Sequence, residues 1–165
     1  EALLDIVNDR PEKRTYGWRK SLEAVPENLA VFEQAAALFA TKVSVCPNER
    51  HLIHNDLLNR NILVDTHHVT ALLDWGDSRY GDFLYDIAHL LYWWPWFNQW
   101  SKIDIWEAIE QHYKRKQLDV QDFHERLQCY QMHIALDHMA YHCYTGRWDH
   151  FQWNAQRIFE VARSR

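Results

Sequence analysis

Three polar residues in the middle of the chain have the types and spacing that phosphoryl transfer to an alcohol requires. Asp56 follows a short apolar run, Asn61 lies five residues on, and Asp74 closes the next apolar run. A carboxylate and an amide oxygen brought together are hard oxygen donors, suited to Mg²⁺ rather than zinc. An acid facing the same cavity can orient a hydroxyl and take its proton. The metal-bound phosphates then need little covalent help from the protein. All of this requires that the chain fold Asn61 and Asp74 together, with Asp56 one loop away.

The flanking sequence predicts how that happens. HLIH, NILVD and VTALLDW are short and rich in apolar or β-branched residues. Residues 61–65 and 69–75 can pair as a hairpin across Thr66-His67-His68, although the turn lacks Asn-Gly. The end of the second strand then returns beside the start of the first, and Asp74 meets Asn61. Helices surround this ribbon. Pro26 and Glu27 suit a helix start, and Leu29, Phe32, Ala36, Phe39 and Val43 recur on one face through 43. Residues 83–97 read as a helix broken by Pro95. Ile87, Leu90, Leu91 and Trp94 fall on one side of it, and Asp86, His89 and Trp93 on another. Ser101 with Asp104 predicts the cap of a helix running to about 116. Asp119 is the expected cap of a long helix over 120–144, stopped by Gly146. Asp149 with Gln152 resembles a further capping box. The expected fold class is α+β, mostly helical, with 1–165 as a single domain around a small central hairpin that carries the catalytic loop.

His54-x-Asp56-x-x-x-x-Asn61 with a downstream Asp is the kinase catalytic-loop arrangement. More specifically, HLIHNDLLNRNILVD and VTALLDWGDSRYGDFLYDIAHLLYWWPW resemble the C-terminal lobe of the aminoglycoside phosphotransferase and choline kinase superfamily, nearest the hygromycin B phosphotransferase type. The resemblance extends from about Trp18 to the last helix and is most specific over 51–96. It implies that Asp56 is the catalytic base, that His54 braces its loop, and that Asn61 and Asp74 bind Mg²⁺ with ATP or GTP. It also implies that Asp82 and Asp86 hold the loop and the following helix in place. Asp86, His89, Trp93 and Trp96 are candidates for the acceptor cleft, where an indole can stack on a sugar or cover a cation. Asn55 stands where small residues are frequent in antibiotic kinases. His-Asn-Asp is closer to choline kinases, so choline or ethanolamine is the alternative acceptor to an aminoglycoside-like sugar.

Composition bounds these readings. In 165 residues, 47% hydrophobic and 25% charged is an ordinary globular balance. No stretch approaches the ~18 apolar residues of a membrane span. A net charge of −5 without a Lys/Arg run argues against a nucleic-acid partner and suits a cationic, hydroxylated small molecule. No basic start precedes an apolar run, so no signal peptide is expected. Cys46, Cys129 and Cys143 have no metal or disulfide spacing, which fits a reducing cytoplasm. His138 and His142 are one helical turn apart, as are Cys129 and His133, but no H-E-x-x-H pattern accompanies them and solvated or core histidines are expected. Four glycines cannot write a glycine-rich phosphate cradle. No β-rich lobe with such a cradle is recognisable before His54. The expectation is therefore a C-terminal lobe without its nucleotide lobe, inactive by itself, with apolar surface near 15–45 left open to self-association. A non-catalytic binding role is the reading from a different class.

Overall fold

A computed structural model describes residues 2–58 and 60–164, so Asn59 of the loop motif lies outside the described residues. The chain divides into two compact units, one of residues 1–46 with 131–165 and one of residues 47–130. The first is all-helical. It comprises a 3-10 helix Ala2–Val7, α1 (Trp18–Glu23), α2 (Pro26–Lys42), the later turns of α5 (Phe123–Thr145) and α6 (Trp148–Arg163). The Asp9 carboxylate accepts the N–H groups of Gly17 (2.8 Å) and Arg19 (3.0 Å) and so starts α1. Trp18, Leu22, Phe32, Ala35 and Phe39 are buried, and Trp18 meets Phe32 at 4.9 Å between ring centres. The expected open apolar surface at 15–45 is thus largely closed, because α1 and α2 bury their apolar residues in this unit's own core. Tyr16 is an exposed exception.

The second unit holds the ribbon. Strand β1 (His51–Ile53) pairs antiparallel with β4 (Arg79–Gly81), and β2 (Ile62–Val64) pairs antiparallel with β3 (Val69–Leu72). The β2–β3 hairpin is the expected one, with Ile62 opposite Leu72. Its turn works without Asn-Gly because the Asp65 carboxylate accepts the N–H groups of His67 (3.1 Å) and His68 (2.9 Å). The second ribbon, β1–β4, was not foreseen: three-residue strands are too short to show alternation. Helices α3 (Leu84–Trp93) and α4 (Ile105–Lys116) follow, then the first turns of α5. Pro95 falls in the 3-10 turn Trp94–Trp96 that ends α3, as expected.

Three helix starts and one helix face differ from expectation. The cap of α4 is Asp104, not Ser101, and its Oδ1 accepts Glu107 N–H at 3.0 Å. Helix α5 begins at Phe123 rather than 120, after a left-handed Asp122 (φ 52°). The Asp149–Gln152 box is not formed; Gln152 instead donates to Asn28 Oδ1 at 2.7 Å, tying α6 to α2. On α3 the buried residues are Leu84, Tyr85, Ala88, His89, Leu91 and Tyr92, so Ile87, Leu90 and Trp94 are only half-buried. Burial of the two tyrosines rotates the core face away from the aliphatic stripe.

Gly146 stops α5 as predicted. At φ 68° its N–H donates to Cys143 O (3.3 Å) and Arg147 N–H to His142 O (2.9 Å), a Schellman pair. A Cβ at Gly146 would meet nothing within 4 Å. The cost of Gly146→Ala is therefore backbone strain alone, about 1–2 kcal/mol. Urea unfolding should show that loss with an unchanged m-value.

Candidate active site

The site is assembled by Leu73. Its N–H donates to Asn61 O (2.8 Å), and its carbonyl accepts His54 Nε2–H at 2.7 Å. These two bonds pin the end of β3 to the start of β2 and to the loop after β1. His54 is buried, with its ring 4.7 Å from that of Trp75. Its Nε2 is the donor because a carbonyl can only accept. Nδ1 is therefore left to accept Asp56 N–H (3.3 Å). Both ring nitrogens are thus engaged, which makes His54 a brace and not a proton shuttle.

The loop is gripped from the other side by α3. Asp86 Oδ2 accepts His54 N–H (2.9 Å) and Oδ1 accepts Asn55 N–H (2.7 Å). Asp86 therefore braces the loop through both carboxylate oxygens, each of which keeps a further lone pair. That grip accompanies a left-handed Asn55 (φ 68°). Asn tolerates this conformation better than other residues with a Cβ. The left-handed backbone gives Asn55 a conformational role of its own.

Asn61 Nδ2 donates to Asp56 O (2.8 Å) and Oδ2 (3.0 Å). Its Oδ1 remains as an oxygen donor. Asp74 is exposed and left-handed (φ 57°), and a Cβ on Gly76 would lie 3.4 Å from its Oδ1. Burial lifts the Asp56 carboxyl above the usual carboxylate range, opposed by the Asn61 hydrogen bond and His54, and reinforced by the charges of Asp77 and Asp74. Asp56, Asn61 and Asp74 therefore share one electrostatic environment. The donor set, an amide oxygen and carboxylates, fits a hard divalent cation with phosphates. Asp77 is the site residue the sequence reading missed. Its only signal was a second acid three residues after Asp74.

Asp82 does different work. It is buried, its Oδ2 accepts from Arg126 and Tyr130, and its Oδ1 accepts Leu84 N–H. Of the expected cleft residues, His89 is buried, 6.4 Å from Trp93 between ring centres. Trp93 meets Trp96 edge-on at 6.0 Å, and Trp96 is 47% exposed. On α5, His138 and His142 lie 6.1 Å apart, and α6 adds His150 at 5.0 Å from His142. Burial pushes His138 and His142 down to about 4, so both are neutral near pH 7.

This arrangement is that of a kinase-like C-terminal lobe. The Phosphotransferase enzyme family (APH) matches residues 5–123, and the chain belongs to that family. It is 29% identical over 119 residues to the hygromycin-B 4-O-kinase of Escherichia coli, covering 72% of this chain and 33% of that protein. Crystal structures of thermostable mutants of aminoglycoside phosphotransferase APH(4)-Ia are similar over nearly the whole chain. The ternary complex with AMP-PNP and hygromycin B has a TM-score of 0.72 at 25% identity, covering 98% of this chain and 50% of that one. The apo form gives 0.71 at 26%, covering 98% and 51%. The chain thus spans a third to a half of the length of these relatives.

A carboxyl whose pKa rises on folding is less stable ionised than in the unfolded chain, and that penalty operates above the ordinary carboxylate range. Asp56→Asn should therefore raise the Tm at pH 7. The gain should fade as the pH falls and the wild-type carboxyl protonates. A lower Tm for the variant at pH 7 would show that the ionised carboxylate stabilises the fold.

Proposed function

We propose that the chain is the acceptor-binding, base-carrying lobe of an ATP- or GTP-dependent, Mg²⁺-dependent phosphotransferase acting on a hydroxyl of a small cationic molecule, an aminoglycoside-like antibiotic. The observation that carries this is the Leu73 strap, which ties the loop bearing Asp56 to Asn61 and to the residue before Asp74. Asp56 orients the acceptor hydroxyl and accepts its proton; the raised pKa brings its basicity nearer neutrality. Asn61 holds Asp56 through Nδ2 and offers Oδ1, with Asp74, to Mg²⁺. Bound Mg²⁺ would neutralise charge on the nucleotide phosphates. His54 and Asp86 fix the loop. Trp93 and Trp96 offer aromatic faces to the acceptor, with His89 packed behind them.

The relatives support the acceptor class, since two of the similar crystal structures hold hygromycin B, one with AMP-PNP and one with ADP. Residues 1–165 form a C-terminal lobe in this reading, and a nucleotide lobe supplies the remaining phosphate contacts. The exposed apolar residues suit that role: Leu52 and Tyr80, opposite each other on β1–β4, and Leu63, Val64 and Val69 on β2–β3. A setting with ATP, Mg²⁺ and reduced thiols is cytoplasmic. Among the described residues, no helix is long and apolar enough to cross a membrane.

The test is transfer from ATP to hygromycin B by the product of the complete gene. Asp56→Ala should cost about 10²–10⁴-fold in kcat. Trp96→Ala should raise the acceptor KM by roughly 2- to 5-fold, the worth of an exposed cation–π contact. Residues 1–165 alone should show negligible turnover. Undiminished activity in Asp56→Ala would refute the base assignment, and transfer to choline but to no aminoglycoside would move the acceptor class.

A further inference from the structure

We propose that Arg126, on α5 and outside the catalytic loop, is a positioning residue for that loop; the inference rests on the phosphotransferase reading. The Arg126 guanidinium gathers the base of the second unit. Its Nε (2.9 Å) and Nη2 (2.6 Å) donate to Asp82 Oδ2, and Nη1 donates to Gln121 O (3.0 Å). Nη2 also lies 3.9 Å from the Glu49 carboxylate, two residues before β1. Tyr130 O–H donates to the same Asp82 oxygen at 2.5 Å. Arg126 and Asp82 are each only 5% exposed. Burial opposes the Arg126 charge, but the hydrogen bond and charge of Asp82 outweigh it and hold the pKa above its ordinary value.

The connection to the site runs through two short elements. Asp82 follows Gly81, which pairs with His51 of β1, and its Oδ1 accepts Leu84 N–H (3.1 Å) at the first residue of α3. Helix α3 has no side-chain cap at Phe83, so Asp82 supplies the bond that fixes its start. Half a turn later, Asp86 reaches the N–H groups of His54 and Asn55, just past the other end of β1. β1 and the first turn of α3 therefore form a closed frame, latched by Asp86 at the loop and by Arg126 at the base. Removing Arg126 strands a buried carboxylate, which must protonate or turn towards water. Either response frees the start of α3 and moves Asp86. Its bonds of 2.7–2.9 Å do not survive a shift of an ångström, and a misplacement of that size at a catalytic group costs about 100-fold.

Amide hydrogen exchange on the 165-residue chain tests this without catalysis. Arg126→Lys keeps a cation beside Asp82 but loses the forked geometry. It should speed exchange at the His54 and Asn55 amides at least 10-fold, with the amides of Asn154–Ile158 in α6 unchanged. Arg126→Gln should speed it further. In the complete enzyme, Arg126→Lys should lower kcat about 10-fold or more, with both KM values within 2-fold. Unchanged exchange at His54 and Asn55, or a rise matched in α6, overturns the proposal. If the complete gene product transfers no phosphoryl group from ATP, the phosphotransferase reading fails while the exchange data still decide whether Arg126 holds the loop.

Discussion

Two hydrogen bonds to the peptide of Leu73 hold the site together. Its N–H donates to the Asn61 carbonyl and its own carbonyl accepts from the His54 ring, so each bond reaches a different segment. Neither is exceptional in strength; a typical internal hydrogen bond contributes about 1 kcal/mol. Their importance is geometric. They tie the loop that carries Asp56 to the start and the end of the hairpin, beside Asn61 and Asp74. The left-handed Asn55 and Asp74 lie in the two segments that the His54 bond joins. Sharp reversals there let the chain leave each strand at once and turn polar side chains back over its end.

The sequence exposed the chemistry more clearly than the scaffold. The spacing of Asp56, Asn61 and Asp74 is short-range information, since one hairpin converts it into proximity. The stop at Gly146 and the break at Pro95 were legible for the same reason: each acts on its own residue. Helix starts were harder, because Ser101 and Asp104 are both good caps and the pattern alone does not choose between them. The β1–β4 ribbon and the Asp82–Arg126 pair are 28 and 44 residues apart, and nothing local announces them. Asp86 carried two readings, brace and acceptor contact. Only the position of the neighbouring backbone N–H groups shows the brace.

The polar groups divide by burial in a way that follows from cost. Those that hold the frame, His54, Asp82 and Arg126, are buried and partnered, as low-dielectric surroundings require. Those assigned to reaction are left partly or wholly accessible: Asp56 and Asn61 half-exposed, Asp74 and Asp77 exposed. Acids held near one another without a cation repel, and the upward shift at Asp56 records part of that repulsion.

The two ribbons carry a liability of their own. Each has only two strands, so each strand keeps one rim of unsatisfied N–H and C=O groups, flanked by outward Leu52, Val64, Val69 and Tyr80. Such rims are templates for strand addition, and the shortness of the strands with the irregularity between Leu63 and Val64 limits how much of a partner strand each can take.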